Sequence, residues 1–86
     1  MSPELETLDQ LLGGDLPIGT LRKLYPDSGS FNHGIVGLLN NEDVRLLASD
    51  GSEVPSWRWR ELFHGEASAD QGFVLSLTDK GGARIA

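Results

Sequence analysis

The amino-acid sequence predicts an α+β domain with three short N-terminal helices, followed by a small antiparallel β-hairpin that contains an inserted short helix. Apolar residues recur at helical spacing through the first forty positions. Near the end of the chain, Phe73, Leu75 and Leu77 instead alternate with Val74 and Ser76, as in a strand. A length of 86 residues is typical of one domain. We therefore expect residues 1–86 to form a single unit.

The first segment has the start and stop signals of a helix. Ser2 can serve as the N-cap, and Pro3 fits the first helical position, where its missing N–H costs nothing. The pair Gly13-Gly14 supplies the stop. Between these signals lies one apolar stripe at helical spacing, formed by Leu5, Leu8, Leu11 and Leu12.

Two further helices are predicted before residue 41. The second covers residues 18–25, where Ile18, Leu21 and Leu24 share a face and Pro26 ends the segment. A turn is expected over residues 27–30. Ser30 would then cap a third helix over residues 31–40.

The second half of the chain is predicted to contain two strands. Residues 44–48 favour a strand that leads into an Asp50-Gly51 turn. The alternative is one helix from 31 to 48, but this would place Glu42 and Asp43 on its apolar stripe. Residues 73–77 form the second predicted strand, and Thr78 would cap a last helical turn.

The segment between these strands is predicted to hold an extra helix. Pro55 restricts Val54 to extended geometry, and Ser56 could cap a helix over residues 57–64 that Gly65 closes. Residues 66–72 are small and polar, which is typical of a loop.

Composition narrows the classes of function. The formal net charge is −6, and residues 1–56 carry nine acids against Arg22, Lys23 and Arg45. Such a surface repels a phosphate backbone, which disfavours nucleic-acid binding. Cysteine is absent, so neither a disulfide framework nor a thiolate metal site is expected. With neither a signal-peptide pattern nor a long apolar run, we expect a cytoplasmic protein without a membrane partner.

The order of elements and the C-terminal stretch Leu77-Thr78-Asp79-Lys80-Gly81-Gly82 resemble the winged helix-turn-helix family. In that family a Leu-Thr-x-Lys-Gly stretch often closes the wing, and the threonine begins the following helix. The resemblance implies that residues 18–25 and 31–40 form the helix-turn-helix unit and that residues 44–48 and 73–77 pair as wing strands. It would make Asn32, His33 and Asn40 candidates on the recognition helix. That helix contains neither lysine nor arginine, in contrast to typical DNA readers of the family.

The polar residues do not form a recognisable catalytic or metal-binding pattern. His33 and His64 are far apart, and both fit ordinary helical positions better than a zinc site. Glu42, Asp43 and Asp50 are expected to be solvated turn acids, because the EF-hand spacing is absent. We therefore predict a protein that is not an enzyme and that needs no cofactor or metal.

The most unusual stretch is Trp57-Arg58-Trp59-Arg60, in an otherwise acidic chain. On a helix, Trp59 would join Leu62 and Phe63 on the inner face, while the other three side chains would be partly exposed. Tryptophan and arginine are enriched at protein interfaces. The alternative is that both tryptophans complete the core and the arginines pair with local acids such as Glu53 and Glu61.

Two hypotheses follow for the function. The first is a small interaction or regulatory domain that docks a partner protein or a second copy of itself. The second is a DNA-binding transcription regulator of the winged-helix type. The candidate partner-binding residues are Trp57, Arg58, Arg60, Lys80 and Arg84.

Overall fold

The computed structural model describes residues 2–64 and 72–85, and it confirms the predicted α+β class. The predictions for Gly65 and for the loop over residues 66–71 lie outside these described residues. Five α-helices, three strands and one short 3-10 helix occur within the described ranges. They are α1 (Pro3–Leu11), β1 (Leu16–Pro17), α2 (Ile18–Arg22), α3 (Ser28–Asn40), β2 (Val44–Leu47), the 3-10 helix (Ser56–Arg58), α4 (Trp59–His64), β3 (Val74–Leu77) and α5 (Asp79–Ile85).

The start of α1 confirms the predicted cap. The Ser2 hydroxyl accepts a hydrogen bond from the backbone N–H of Leu5 at 3.2 Å, and Pro3 is the first helical residue. Leu8 and Leu11 of the leucine stripe are buried, whereas Leu12 remains 58% exposed. The stripe therefore contributes only part of its apolar surface to the core.

The cap of α3 corrects the sequence-based prediction. Asp27, and not Ser30, is the N-cap: its Oδ1 accepts the backbone N–H of Ser30 at 2.7 Å. The helix begins at Ser28, so three of the four residues expected in a turn belong to it. A carboxylate also interacts favourably with the positive end of the helix dipole, which favours aspartate at this position.

The three strands form an antiparallel sheet in the order β1-β3-β2. The pairing of β2 with β3 confirms the expected hairpin, with Leu46 opposite Leu75. β1 was not expected from the sequence. It pairs Leu16 with Leu75 on the other side of β3. β3 is thus the central strand, although it is the last of the three in the chain.

The segment before α4 also differs from its prediction. Ser56 does not cap a helix, because it already lies inside the 3-10 helix, and Pro55 precedes that helix without a side-chain capping bond. Regular α-helix begins only at Trp59. The backbone N–H of Arg58 donates to the carbonyl oxygen of Pro55 at 3.0 Å, which holds the turn.

The core is centred on Phe31 of α3. Its ring meets Tyr25 edge-on at 5.4 Å and lies 6.3 Å from the ring of Phe63. The guanidinium of Arg22 lies 4.7 Å from the centre of the Phe31 ring. Phe31 and Phe63 are both fully buried, together with Leu46 and Leu75 of the sheet. The core therefore joins helices and sheet in one cluster.

Helix α5 is attached to the corner that precedes β2. The Thr78 hydroxyl lies 2.6 Å from the carbonyl oxygen of Glu42 and 2.9 Å from that of Asp43, and it accepts the backbone N–H of Gly81 at 3.0 Å. These bonds confirm Thr78 as the cap of a helix. The backbone N–H of Thr78 also donates to the carbonyl oxygen of Asp43 at 3.1 Å. The Leu-Thr-x-Lys-Gly stretch thus has a structural role in this chain.

Gly81 has a steric reason to be glycine. A Cβ atom at this position would overlap the carbonyl oxygen of Asp43 and lie 2.9 Å from its carbonyl carbon. A Cβ atom on the neighbouring Gly82 would meet only a methyl group of Leu77, at 3.7 Å. Glycine therefore permits the close approach of α5 and the corner at Asp43.

Tyr25 provides a test of packing between α1 and the turn that follows α2. Its hydroxyl lies 2.8 Å from the hydroxyl of Thr7, which itself donates to the carbonyl oxygen of Pro3. Because Thr7 has one hydroxyl hydrogen, the phenol must be the donor in the pair. Burial raises the pKa of Tyr25 above its ordinary value of 10.0; the bond to Thr7 opposes this rise and Glu4 adds to it.

We expect the phenol of Tyr25 to titrate at higher pH in the folded protein than in the protein unfolded by urea. The raised pKa contributes stability that is complete below pH 10.0 and is lost as the pH rises through the folded-state pKa. Tyr25 is the only tyrosine, so the ultraviolet absorbance of the phenolate reports this residue alone. Coincident titration midpoints in the two states would contradict the buried environment.

Candidate functional site

The 3-10 helix presents Trp57 to solvent. This side chain is 75% exposed, and that of Arg58 beside it is half-buried. Trp59 has a different environment, since its indole packs against the core and its Nε1 donates to the carbonyl oxygen of Val54 at 3.2 Å. Leu62 and Phe63 are buried, as expected for the inner face of this helix. The two tryptophans therefore have different roles.

The alternative prediction, that both tryptophans complete the core and that the arginines pair with local acids, holds only in part. Trp59 contributes to the core, but Trp57 does not. Glu53, the expected partner of an arginine in this segment, instead lies 3.9 Å from Arg45 of β2. Nothing is described of the side chains of Arg60, Glu61 and His64, so the predictions for them stay outside the described residues.

A groove of about 680 Å³ borders the 3-10 helix, whose first residue, Ser56, is part of its lining. Its walls come from the end of α3, the corner before β2, the segment over residues 53–59 and the start of α5. Leu39, Val44 and Leu46 are buried beneath it, and Trp59 forms part of one wall. Ser56 and Trp59 line the groove, whereas Trp57 and Arg58, which lie between them in the chain, do not.

Charged side chains of both signs surround the groove. The acids are Glu42, Glu53 and Asp79, and the cations are Arg45 and Lys80. Because Arg45 and Glu53 face each other, they partly neutralise one another. Of the remaining three charged residues, Glu42 and Asp79 are negative and Lys80 is positive, so the groove lining has a small excess of negative charge.

The groove brings together some of the predicted site residues and leaves others apart. Asn40 of α3 and Lys80 of α5 both line it. His33 is exposed and Asn32 half-buried on α3, and neither lines the groove. Arg84 forms an ion pair with Asp43. The five candidate partner-binding residues thus do not form one continuous surface among the described residues.

The prediction of solvated turn acids is right for Glu42 and Asp50, which are exposed, and wrong for Asp43. The side chain of Asp43 is fully buried, and its Oδ2 accepts a hydrogen bond from Arg84. A buried carboxylate needs such a partner because removing it from water is costly. Asp43 therefore stabilises the scaffold by fixing α5.

Asp50 is a structural turn acid. Its Oδ1 accepts hydrogen bonds from the Ser52 hydroxyl at 2.6 Å and from the Ser52 backbone N–H at 3.0 Å. These bonds, with the side-chain bond contributing most, hold the pKa of Asp50 below its ordinary value. The lowered pKa is explained by the turn alone and does not indicate an acid–base site.

Sequence reasoning missed the groove as a whole. Its lining residues come from separate segments between Leu39 and Lys80, and they share no spacing that a motif could describe. One indirect signal was available. Thr78 was predicted to cap a last helical turn, but the sequence did not show that this helix is attached to the corner at Asp43.

Among residues 2–64 and 72–85, no three histidine, aspartate or glutamate side chains gather where they could hold a metal ion. Nor is any helix in this described part of the chain long and apolar enough to cross a membrane. No family model, curated protein or solved structure matches the chain.

Proposed function

We propose that this chain is a small, non-enzymatic interaction domain that docks a partner protein through the surface around Trp57 and Arg58. The observation that carries the proposal is the 75% exposure of Trp57. Most tryptophans in folded proteins are largely buried. Tryptophan and arginine are also the residues most often responsible for interface affinity.

Covering Trp57 would release considerable free energy. A tryptophan buries about 150–250 Å² when it is fully covered. At about 25 cal/mol per Å², covering the 75% that is exposed corresponds to about 3–5 kcal/mol before the cost of association is subtracted. A partner that encloses this side chain would therefore gain affinity from one residue.

The segment that carries Trp57 is already ordered by its own contacts. Arg58 donates its backbone N–H to Pro55, and the indole of Trp59 is bonded to Val54. Little conformational entropy remains to be lost when a partner binds such a turn. The position of Trp57 between these contacts supports a docking role over an accidental exposure.

The proposed scaffold is winged-helix-like. Its support is the succession of α2, α3, β2 and β3, together with the closing stretch over residues 77–82 in which Thr78 begins α5. Within this scaffold the helix at the recognition position, α3, lacks lysine and arginine. That absence favours a partner protein over DNA.

Affinity capture tests the docking function directly. The immobilised wild-type domain is incubated with lysate of the source cells, and retained proteins are identified by mass spectrometry. We expect at least one retained protein to be lost with the variant Trp57→Ala/Arg58→Ala, because both the apolar anchor and its adjacent cation are removed.

The matched control is Leu12→Ala, which removes the other large apolar side chain that is exposed among the described residues, at the C-terminal end of α1. This variant should retain the same protein as wild type. Equal retention by all three baits, with circular dichroism showing equal folding, would contradict docking at Trp57.

DNA binding is the alternative function, and the same order of elements together with the exposed Lys80 favours it. Here Arg58 and Lys80 would contact phosphates. Binding to mixed-sequence duplex DNA would then weaken steeply with salt and disappear in Arg58→Glu/Lys80→Glu. Absence of a mobility shift at low salt would reject this alternative.

A further inference from the structure

We propose that Asp50 is a modification site, at which the aspartate slowly converts to isoaspartate, and that Ser52 restrains this conversion. The inference is independent of docking at Trp57. Asp50-Gly51 is the only Asp-Gly pair in the sequence, and the sequence contains no Asn-Gly pair. A glycine after aspartate leaves its backbone nitrogen unshielded, so this nitrogen can reach the side-chain carboxyl group of the preceding residue.

The conversion needs only the protein and water. After the carboxyl group takes up a proton, the backbone nitrogen of Gly51 attacks Cγ of Asp50. A C–N bond forms, and the N–H hydrogen leaves with the carboxyl OH as water, which closes a cyclic imide. Water then breaks one of the bonds between the imide nitrogen and its carbonyl carbons. Breaking the bond to Cγ restores aspartate, whereas breaking the bond to the main-chain carbonyl carbon leaves isoaspartate.

The turn requires glycine at the reactive position. Gly51 has a φ of +89°, a left-handed conformation that other residues rarely adopt. Its N–H donates to the carbonyl oxygen of Ala48 at 2.9 Å, and the N–H of Ala48 donates to the carbonyl oxygen of Ser52 at 2.8 Å. A larger residue would shield the nitrogen but strain this turn. Residues 49–53 are all exposed, so water has access to the pair.

Hydrogen bonds restrain both reacting groups in the folded protein. Oδ1 of Asp50 accepts the Ser52 hydroxyl at 2.6 Å and the Ser52 backbone N–H at 3.0 Å. These bonds lower the pKa of Asp50, so a smaller fraction of its carboxyl groups carries the proton that the reaction needs. The nitrogen of Gly51 must also give up its bond to Ala48 before it becomes part of the imide. Ser52 thus slows the formation of the imide.

Isoaspartate would lengthen the turn. It places Cβ of Asp50 in the main chain, which adds one carbon atom to the path before Ser52. Further along, Val54 donates its N–H to the carbonyl oxygen of Leu46 at 2.8 Å, and its own carbonyl oxygen accepts the indole of Trp59. Both bonds depend on where the turn delivers the chain. The restraint by Ser52 therefore preserves the geometry of the segment that follows.

Ageing of the purified protein tests the proposal. Wild type, Ser52→Ala and the control Ser56→Ala are incubated for weeks at neutral pH and physiological temperature in water enriched in oxygen-18. Trypsin in ordinary water then releases the peptide over residues 46–58, in which Asp50 is the only aspartate or asparagine. Chromatography with mass spectrometry separates isoaspartate from aspartate. A heavy oxygen marks each peptide that has passed through the imide.

We expect Ser52→Ala to accumulate isoaspartate about 10-fold faster than wild type, the factor for losing one hydrogen bond to an exposed carboxylate. Ser52→Thr keeps a hydroxyl and should react at nearly the wild-type rate. Ser56→Ala removes an exposed hydroxyl that is not bonded to Asp50 in the described part of the chain, so it should match wild type. In urea the turn is lost, and all four proteins should react at one rate, faster than native wild type.

Two results would overturn the inference. Equal rates of isoaspartate formation in native wild type and Ser52→Ala would show that Ser52 does not restrain the reaction. A peptide that remains aspartate in every folded sample, Ser52→Ala included, would show that Asp50 is not a modification site. Circular dichroism of the fresh samples verifies that each variant is folded.

Discussion

Replacing Gly81 by alanine is expected to destabilise the domain by about 3 kcal/mol, the upper part of the range for overpacking. The added methyl group would overlap backbone atoms of Asp43, which cannot rotate away as a side chain can. A domain of this length has a total stability of roughly 4–13 kcal/mol. Urea unfolding monitored by circular dichroism measures the loss as a change in midpoint at constant slope.

Gly82→Ala is the matched control for this prediction. Its methyl group would meet only Leu77 at ordinary van der Waals distance, and it lies in the same helix. Alanine has a higher helix propensity than glycine by about 1 kcal/mol, so this variant should be neutral or more stable than wild type. Equal destabilisation by both substitutions would show that close contact with Asp43 is not the reason for glycine at 81.

Replacing Arg84, the partner of the buried Asp43 carboxylate, is expected to cause the second largest loss of stability. Arg84→Met keeps much of the side-chain length but leaves Asp43 without its cation. Oδ1 of Asp43 has no hydrogen-bond partner among the described residues, so Arg84 is the main compensation for this carboxylate. We expect a loss of about 2–3 kcal/mol, below the range for fully buried pairs because the side chain of Arg84 is 45% exposed.

A double-mutant cycle measures the interaction energy between Asp43 and Arg84 apart from the contacts that each makes with other residues. Asp43→Asn removes the charge of the carboxylate while conserving its shape, and the double variant Asp43→Asn/Arg84→Met removes both charges. The double variant should be more stable than Arg84→Met alone, because it no longer buries an uncompensated carboxylate. Strict additivity of the two single effects would show that Arg84 and Asp43 contribute independently.

Local signals in the sequence were sufficient to predict most of the helices and the pairing of β2 with β3. The cap at Ser2, the burial of Leu8 and Leu11 in the leucine stripe, and the strand over most of residues 73–77 each depend on neighbours in the chain, and the structure confirms them. Asp27 was missed as a cap because aspartate, serine and glycine in a row are equally typical of turns.

The features that were missed depend on distant residues. β1 has only two residues, one of them Pro17, and such a segment has no periodicity of its own. It becomes a strand because β3 offers it hydrogen-bonding partners. Asp43 lies beside exposed Glu42 and gives no local sign of burial. Its environment is created by Thr78, Gly81 and Arg84, more than thirty residues away.

The candidate site also has one part that local sequence signals predicted and one part that depends on distant residues. The exposure of Trp57 and the burial of Leu62 and Phe63 agree with the predicted inner and outer faces of the segment. The groove beside Trp57 could not be predicted, because the two ends of its lining meet only when α5 attaches to the corner before β2. Lys80 was chosen for its charge, and the structure adds that it shares a groove with Trp59.

The strand order β1-β3-β2 has a consequence for folding during synthesis on the ribosome. β1 and β2 do not pair with each other, and both depend on β3, whose residues are made after the other two strands. No part of the sheet can therefore form until Leu77 has left the exit tunnel. Until then the apolar faces of α1, α2 and α3 can pack only against each other and against elements made before β3, such as α4 with its buried Phe63. We infer that the nascent chain exposes apolar surface to proteases and to aggregation until β3 emerges.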